Sequence, residues 1–201
     1  MTFKYEKDSA VILLSLYVDD WLAATNNDQV YQEFIRALSD AFELSACGDL
    51  DWYLGVAISQ DLELGTTTNC QEQYIKQLLA RFSMSECNPA PTPMMPNSRL
   101  LRADSPAKGK EEKKLIKEYQ KLVGALLYLT AWTRPDCAFA VNQAAKFMSN
   151  PGPTHLAAAK RILRYLKGTA HMGITYSRSN NRGNILWAFA DADHAGDPDT
   201  R

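Results

Sequence analysis

Hydrophobic and polar positions change rhythm several times along the 201 residues. Residues 10–18 are rich in Val, Ile and Leu, two aspartates interrupt, and 21–25 is a second short apolar run. This pattern predicts a strand, a tight turn at Asp19 and Asp20, and a second strand. An amphipathic helix over about 28–43 follows from a cap at Asn27 or Asp28, with Val30, Phe34, Leu38 and Phe42 on one side. "CGDLDWYLGVAISQD" turns at Gly48 and enters a strand, and "LELGTTTNC" returns as a hairpin arm around Glu63–Thr68. "QEQYIKQLLARFSM" reads as a short helix with Tyr74, Ile75, Leu78, Leu79 and Phe82 facing a core.

The rhythm is lost over 88–110, "NPAPTPMMPNSRLLRADSPAKGK", where five prolines mark an extended linker that wraps or spaces two parts. Helical patterns resume at about 112–131, 136–149 and 154–167, the last with Thr154 as cap and Gly168 as stop. "GITYSR", a polar turn "SNNRGN" and "ILWAFADADHAGDPDTR" read as two paired strands and a tail. The order is hairpins, helices, then a hairpin, an α+β arrangement without internal repeat.

Hydrophobic residues make up 46% of the chain, the composition of a globular protein, and the net charge of −1 favours no partner. Its distribution is uneven. Met1–Glu63 holds 12 acidic residues against 3 basic, whereas Arg134–Arg182 holds 8 basic against the single Asp136. That split suits a protein with a metal–phosphate centre and a grip on a polyanion, and equally two unlike solvated surfaces. The four cysteines are scattered, without a C-x-x-C pair, as expected of reduced structural thiols. The start shows no signal-peptide pattern and the 10–18 run is too short to span a bilayer, so a soluble intracellular chain is expected.

Ionised carboxylates in an apolar setting need a partner. Held side by side at a hairpin tip, Asp19 and Asp20 would suit Mg2+, which takes one or two carboxylates and fills its other positions with phosphates and water. A plain polar turn is the alternative. The helix over 154–167 carries a second signal. Leu156, Ala159, Leu163 and Leu166 face a core, while Lys160, Arg164 and Lys167 recur at i, i+4 and i+7 with Arg161 alongside and no acid between. Like charges so spaced repel by a few tenths of a kcal/mol per pair, a cost that a phosphate backbone reverses; a solvated basic face is the other reading. Tyr128, Trp132 and Phe147 read as core, and His155 as a surface residue at a helix start.

"YVDDWLAATNN", "YLGVAIS", "QEQYIKQLLARFSM", "CNPAPTP", "LVGALLYL", "TRPDCAFAVN", "FMSNPGPTHLAAAKRILRYLKGT" and "FADADHAGD" occur in an order that resembles the reverse transcriptase region of copia-type retrotransposon polyproteins, from about Ala10 to Arg201. The resemblance implies a partial polymerase palm with primer grip over 1–87, the linker over 88–110, a helical thumb and connection over 111–170, and the start of a ribonuclease H domain over 171–201. It makes Asp19 the direct metal ligand and Asp20 the supporting one, for two-metal nucleotidyl transfer. Tyr17 would pack beside the primer terminus and Val18 would touch the duplex minor groove. Tyr53, Leu54, Gly55 and Val56 would form the primer grip, where Gly55 lets a backbone approach closely or simply serves a strand bulge. Lys160, Arg161, Arg164 and Lys167 would lie along the duplex. Asp191 would be the first ribonuclease H metal carboxylate, with Asp193 beside it.

The parent enzyme would use Mg2+, an RNA or DNA template–primer duplex and dNTPs, alongside other polyprotein segments in a cytoplasmic particle and without a membrane. A palm carboxylate upstream of the hairpin is expected in this family, and Asp8 does not fit its motif. The chain is therefore expected to be catalytically incomplete alone, with one sheet face unusually apolar and exposed. A non-catalytic nucleic-acid-binding module and a relic open reading frame are the rival expectations.

Overall fold

A computed structural model describes residues 1–7, 9–45, 48–107, 112–178, 188–190 and 199 of the chain. It divides into two compact units between Tyr53 and Leu54. That boundary falls inside the 1–87 segment that the sequence reading takes as one domain.

The first unit is an antiparallel sheet in the order β1 (Thr2–Lys7), β2 (Ala10–Tyr17), β3 (Asp20–Thr25), followed by helix α1 (Asp28–Ser39) and a two-residue strand β4 (Trp52–Tyr53). Directly paired residues share a sheet face. The register sets Phe3 against Leu14, Tyr5 against Ile12, Leu14 against Ala23 and Leu16 against Trp21, so these residues line one face. Ala10, Ile12 and Leu14 are its buried centre. The rings of Tyr5 and Phe34 lie 6.1 Å apart, so α1 meets this face. Asn27 caps α1, its side chain accepting from the backbone N–H groups of Gln29 and Val30 at 3.0 and 3.2 Å. No residue of α1 is fully buried.

The other face carries Leu13 and Tyr17, 47% and 58% exposed, among Lys4, Glu6 and Asp20. It is a mixed face, because β1 contributes charged residues there, whereas the first face also keeps Phe3, Tyr5 and Trp21 exposed. "TFKYEK" alternates polar and apolar residues and so carried the signal for β1, an element the sequence reading passed over.

The second unit has its own antiparallel strands, β5 (Val56–Asp61), β6 (Thr66–Cys70) and β7 (Gly173–Ser177). The hairpins expected at 10–25 and 50–68 therefore belong to different sheets. "GITYS" pairs with β6 rather than with the segment after it, and the Oγ1 atoms of Thr68 and Thr175 meet at 2.9 Å. A Cβ at Gly173 would stand 2.1 Å from the Asn69 carbonyl oxygen, so only glycine permits this pairing. The expected partner strand around 185–195 lies outside the described residues, apart from 188–190.

Helices α2 (Glu72–Arg81), α3 (Lys113–Trp132), α4 (Ala138–Ala145) and α5 (Pro153–Gly168) form the main core. Ile75 and Leu78 of α2, Leu122 and Leu126 of α3, Val141 of α4 and Leu163 of α5 are essentially inaccessible. Each such side chain contributes roughly 1.5–3 kcal/mol of burial free energy. Tyr119 spends its hydroxyl on the Ala144 carbonyl at 2.8 Å, which avoids a buried unpaired donor.

Three local expectations fail here. Gly152, not Thr154, caps α5, because Pro153 occupies the first helical position where its missing N–H is harmless. Trp132 is 41% exposed at the end of α3, not core. His155 is fully buried, stacked on Phe147 at 4.0 Å. Its Nδ1 accepts from the Gly152 N–H at 2.8 Å and its Nε2 donates to the Leu101 carbonyl at 3.1 Å. Burial holds its pKa below the usual histidine range.

Candidate functional site

Tyr17 pairs with Asp20, which leaves Val18 and Asp19 as the two-residue loop between β2 and β3. Val18 has φ 54, and the first loop position with positive φ is one that glycine usually fills in a hairpin turn. A β-branched residue there is a conformational outlier of the kind that clusters at working sites. Tyr17, Val18, Asp19 and Asp20 are all exposed. The two aspartates are thus a solvent-facing pair on a short turn rather than buried charges, and the paired strands fix the position of their backbone.

Leu54 and Gly55, with φ 49 and 79, form the turn that leads into β5. Positive φ at consecutive positions is the turn class that favours glycine at the second, so the turn itself explains Gly55. Within the second unit, Tyr128 Oη donates to the Leu54 carbonyl at 2.5 Å, and a Cβ at Gly55 would lie 3.4 Å from that same Oη. Tyr128 is packed edge-on against Tyr74 at 5.2 Å, so a buttressed aromatic pair holds the turn. Burial pushes the Tyr74 pKa up. Tyr53 is half-buried, and its Oη has no hydrogen-bond partner among the described residues.

The basic side chains of α5 have partners that sequence alone did not supply. Arg164 Nε donates to the Asn88 carbonyl at 2.7 Å and Lys167 Nζ to the Cys87 carbonyl at 2.8 Å. Arg161 Nη2 donates to Thr92 Oγ1 at 3.0 Å, and Lys160 lies 3.7 Å from Glu118. The Ala90 N–H adds a bond to the Arg164 carbonyl. Prolines cannot pair in a ladder, so this stretch of the linker is held on α5 by side-chain cations aimed at its carbonyls.

A different basic face was missed. Lys113, Lys117 and Lys121 follow at i, i+4 and i+8 on α3, spaced about 6 Å along the axis. All three are exposed, and none is in an ion pair among the described residues. Gly124 continues the same face. It is exposed, and a Cβ there would meet nothing within 4 Å. A mid-helix glycine costs about 1 kcal/mol relative to alanine, and internal packing gives no reason for this one. One turn further on stands Tyr128, which holds the Leu54–Gly55 turn. The signal was legible in "KKLIKEYQK" as lysines at helical spacing.

"TRPD" is also informative. Arg134, 1% exposed, donates twice to Asp136, at 3.0 and 2.8 Å, and twice to Thr169, at 3.0 and 2.7 Å. Tyr165 Oη donates to the same carboxylate at 2.9 Å. Burial pushes the Asp136 carboxyl up, but the Arg134 and Tyr165 bonds together with the Arg134 charge hold it below its ordinary value. Burial pushes the neighbouring Cys137 thiol up to about 12, so it is not a nucleophile. This network is a structural tie between the end of α3 and the end of α5.

The hard oxygens of Asp19 and Asp20 are the donor type that Mg2+ takes. Among the described residues no group of three His, Cys, Asp or Glu side chains is placed to hold an ion. Asp191 and Asp193 lie outside the described residues. Among the described residues no helix is long and apolar enough to cross a membrane.

The described residues form a mixed α/β protein with antiparallel sheets. The sequence model of the family described as "Reverse transcriptase (RNA-dependent DNA polymerase)" matches residues 1–96. The chain is 34% identical over 99% of its length to the "Retrovirus-related Pol polyprotein from transposon TNT 1-94" of Nicotiana tabacum. It is 36% identical over 98% of its length to that from transposon RE1 of Arabidopsis thaliana. It covers only 15% and 13% of those polyproteins. An uncharacterized mitochondrial protein of Arabidopsis thaliana is 34% identical over 94% of this chain, which covers 74% of it. No solved structure matches the chain. The chain belongs to the reverse transcriptase family, in the branch of the copia-type retrotransposon Pol polyproteins.

Proposed function

We propose that residues 17–20 are the metal-holding hairpin of an RNA-directed DNA polymerase, and that the second unit grips its template–primer duplex. The observation that carries this reading is the exposed Asp19–Asp20 pair on a two-residue turn strained at Val18. When bound, Mg2+ would neutralise phosphate charge and lower the barrier to phosphoryl transfer. Asp19 would bind it directly and Asp20 would support it. Tyr17 and Val18, exposed beside the pair, are free to touch the primer end and the minor groove. The Leu54–Gly55 turn, held by Tyr128, would take the primer backbone, with Tyr53 before it.

For the duplex itself, the outward face of α3 is a better candidate than α5 alone. Arg161, Arg164 and Lys167 already hold the linker, whereas Lys113, Lys117 and Lys121 have no such engagement and Gly124 leaves room for close approach. Lys160, Arg161, Arg164 and Lys167 would add to the field that draws in a polyanion. Residues 111–170 would thus serve as thumb and connection. Asp191 would be the first carboxylate of a ribonuclease H strand, a reading that rests on "FADADHAGD" alone. Other segments of the polyprotein and dNTPs are the remaining partners, in a cytoplasmic particle.

Titrating Mg2+ into the isotope-labelled chain should shift the amides of residues 17–21 in a saturable way, and Asp19→Asn should remove the effect. Unchanged amides would remove the metal reading. Two-metal transfer takes more carboxylates than this pair, so the chain alone should bind template–primer without extending it. Asp19-dependent extension by the chain alone would overturn that statement.

The duplex grip also supports a second reading, a non-catalytic nucleic-acid-binding module. The free lysine face of α3 favours it, and it predicts equal duplex affinity with and without Asp19.

A further inference from the structure

We propose that the cavity between the 93–100 segment and α5 binds a small organic anion with an apolar body. It has a volume of about 330 Å3, at the small end of the range of ligand pockets. It lies wholly within the second unit, and two of its arginines, Arg161 and Arg164, also belong to the cationic field of the duplex reading.

Met94, Leu100 and Ile162 supply apolar walls, and Arg99, Arg161 and Arg164 supply positive charge, while no Asp or Glu lines the cavity. Two of the arginines are pre-set: Arg164 by the Asn88 carbonyl and Arg161 by Thr92. Arg161 Nε is buried without a hydrogen-bond partner among the described residues, so this wall carries an unmet donor. Arg99 is exposed and in no ion pair among the described residues.

Charge of one sign over an apolar wall selects a ligand with an anionic head and a hydrocarbon body. A nucleotide fits the charge but not the wall, since its sugar hydroxyls would find few partners there. Methionine adapts its shape to a flat ring system, which suits an aromatic carboxylate.

The probe is 2-naphthoate, titrated into the 201-residue chain and followed by amide shifts and calorimetry. Saturable shifts confined to 93–100, the neighbourhood of Ala140 and 154–164 are expected. The neutral analogue 2-naphthalenemethanol, with the same ring body, should bind at least about fivefold more weakly. Arg99→Gln, at a side chain with no fold partner, should weaken naphthoate by roughly two- to fivefold. Ala157 lines the cavity and is exposed, so Ala157→Leu should narrow it and weaken binding while the melting curve stays unchanged. Equal affinity for acid and alcohol would overturn the assignment, as would unaltered binding to Ala157→Leu or the absence of saturable shifts.

Discussion

Asp136→Ala should destabilise the second unit more than Arg134→Met, although both remove the same ion pair. Arg134 is 1% exposed and Asp136 32%. Removing the carboxylate leaves a buried guanidinium with Thr169 as its hydrogen-bond partner and the Tyr165 ring 5.5 Å away. Losing one member of a buried pair costs about 3–5 kcal/mol, and the part exposure of Asp136 puts this case near 3. Arg134→Met instead removes the buried charge and leaves Asp136 to solvent and Tyr165, for a loss of about 1–2 kcal/mol. Urea unfolding followed by circular dichroism at 222 nm reports mainly the helices of this unit. With a slope of about 1.5–2 kcal/mol per M, Asp136→Ala should lower the midpoint by about 1.5–2 M and Arg134→Met by about 0.5–1.3 M. The Asp136 pKa is depressed in the folded state. Its contribution is therefore fully present above the unfolded value near 3.9 and disappears as pH falls through the folded value. The gap between wild type and Asp136→Ala should accordingly persist at pH 5 and shrink below about 4. Equal damage from both variants, or an Asp136→Ala shift below about 0.5 M, would refute the buried-charge reasoning.

His155 gives the opposite titration in the same unit. Its folded pKa lies below the unfolded value near 6.5, so stability should be level above that pH and decline below it, until the folded pKa is reached. His155→Leu should flatten the decline in pH-dependent melting curves. At Gly152 an added Cβ would lie 1.9 Å from the Asp104 carbonyl oxygen, so Gly152→Ala should cost at least about 2 kcal/mol in the same urea assay. Gly124→Ala should do the reverse and stabilise by up to about 1 kcal/mol, while weakening duplex binding if that face meets nucleic acid. Neutralising Lys113, Lys117 and Lys121 together should reduce the log–log salt slope of duplex binding by about 2–3, read by fluorescence anisotropy with stability unchanged. The corresponding triple change at Lys160, Arg164 and Lys167 should lower stability as well, since two of those side chains hold the linker.

Local patterns were enough for much of this protein. Alternation and β-branched residues mark β2 and β3, Asn27 marks the start of α1, and the 3.6-residue periods of α2, α3 and α5 mark a helical core. "YVDD" marks its turn, and the order of motifs marks the family, because both are written in adjacent residues. What chain spacing cannot express is which distant segment takes up a hydrogen bond or a charge. Arg161, Arg164 and Lys167 of α5 looked unpaired because their partners are carbonyls of residues 87–88 and a threonine at 92, which no charge pattern reveals. His155 looked like a surface residue because only tertiary packing brings Phe147 and the Leu101 carbonyl to its ring. "GITYS" looked like half of a local hairpin, yet it completes a sheet with residues about a hundred positions earlier. The sequence by itself determined most of the elements, the carboxylate pair at its turn and the family. Only the tertiary structure decided which charges are spent inside the fold and which, on α3, stay exposed outside any ion pair among the described residues, because burial and pairing depend on the segments that folding brings together.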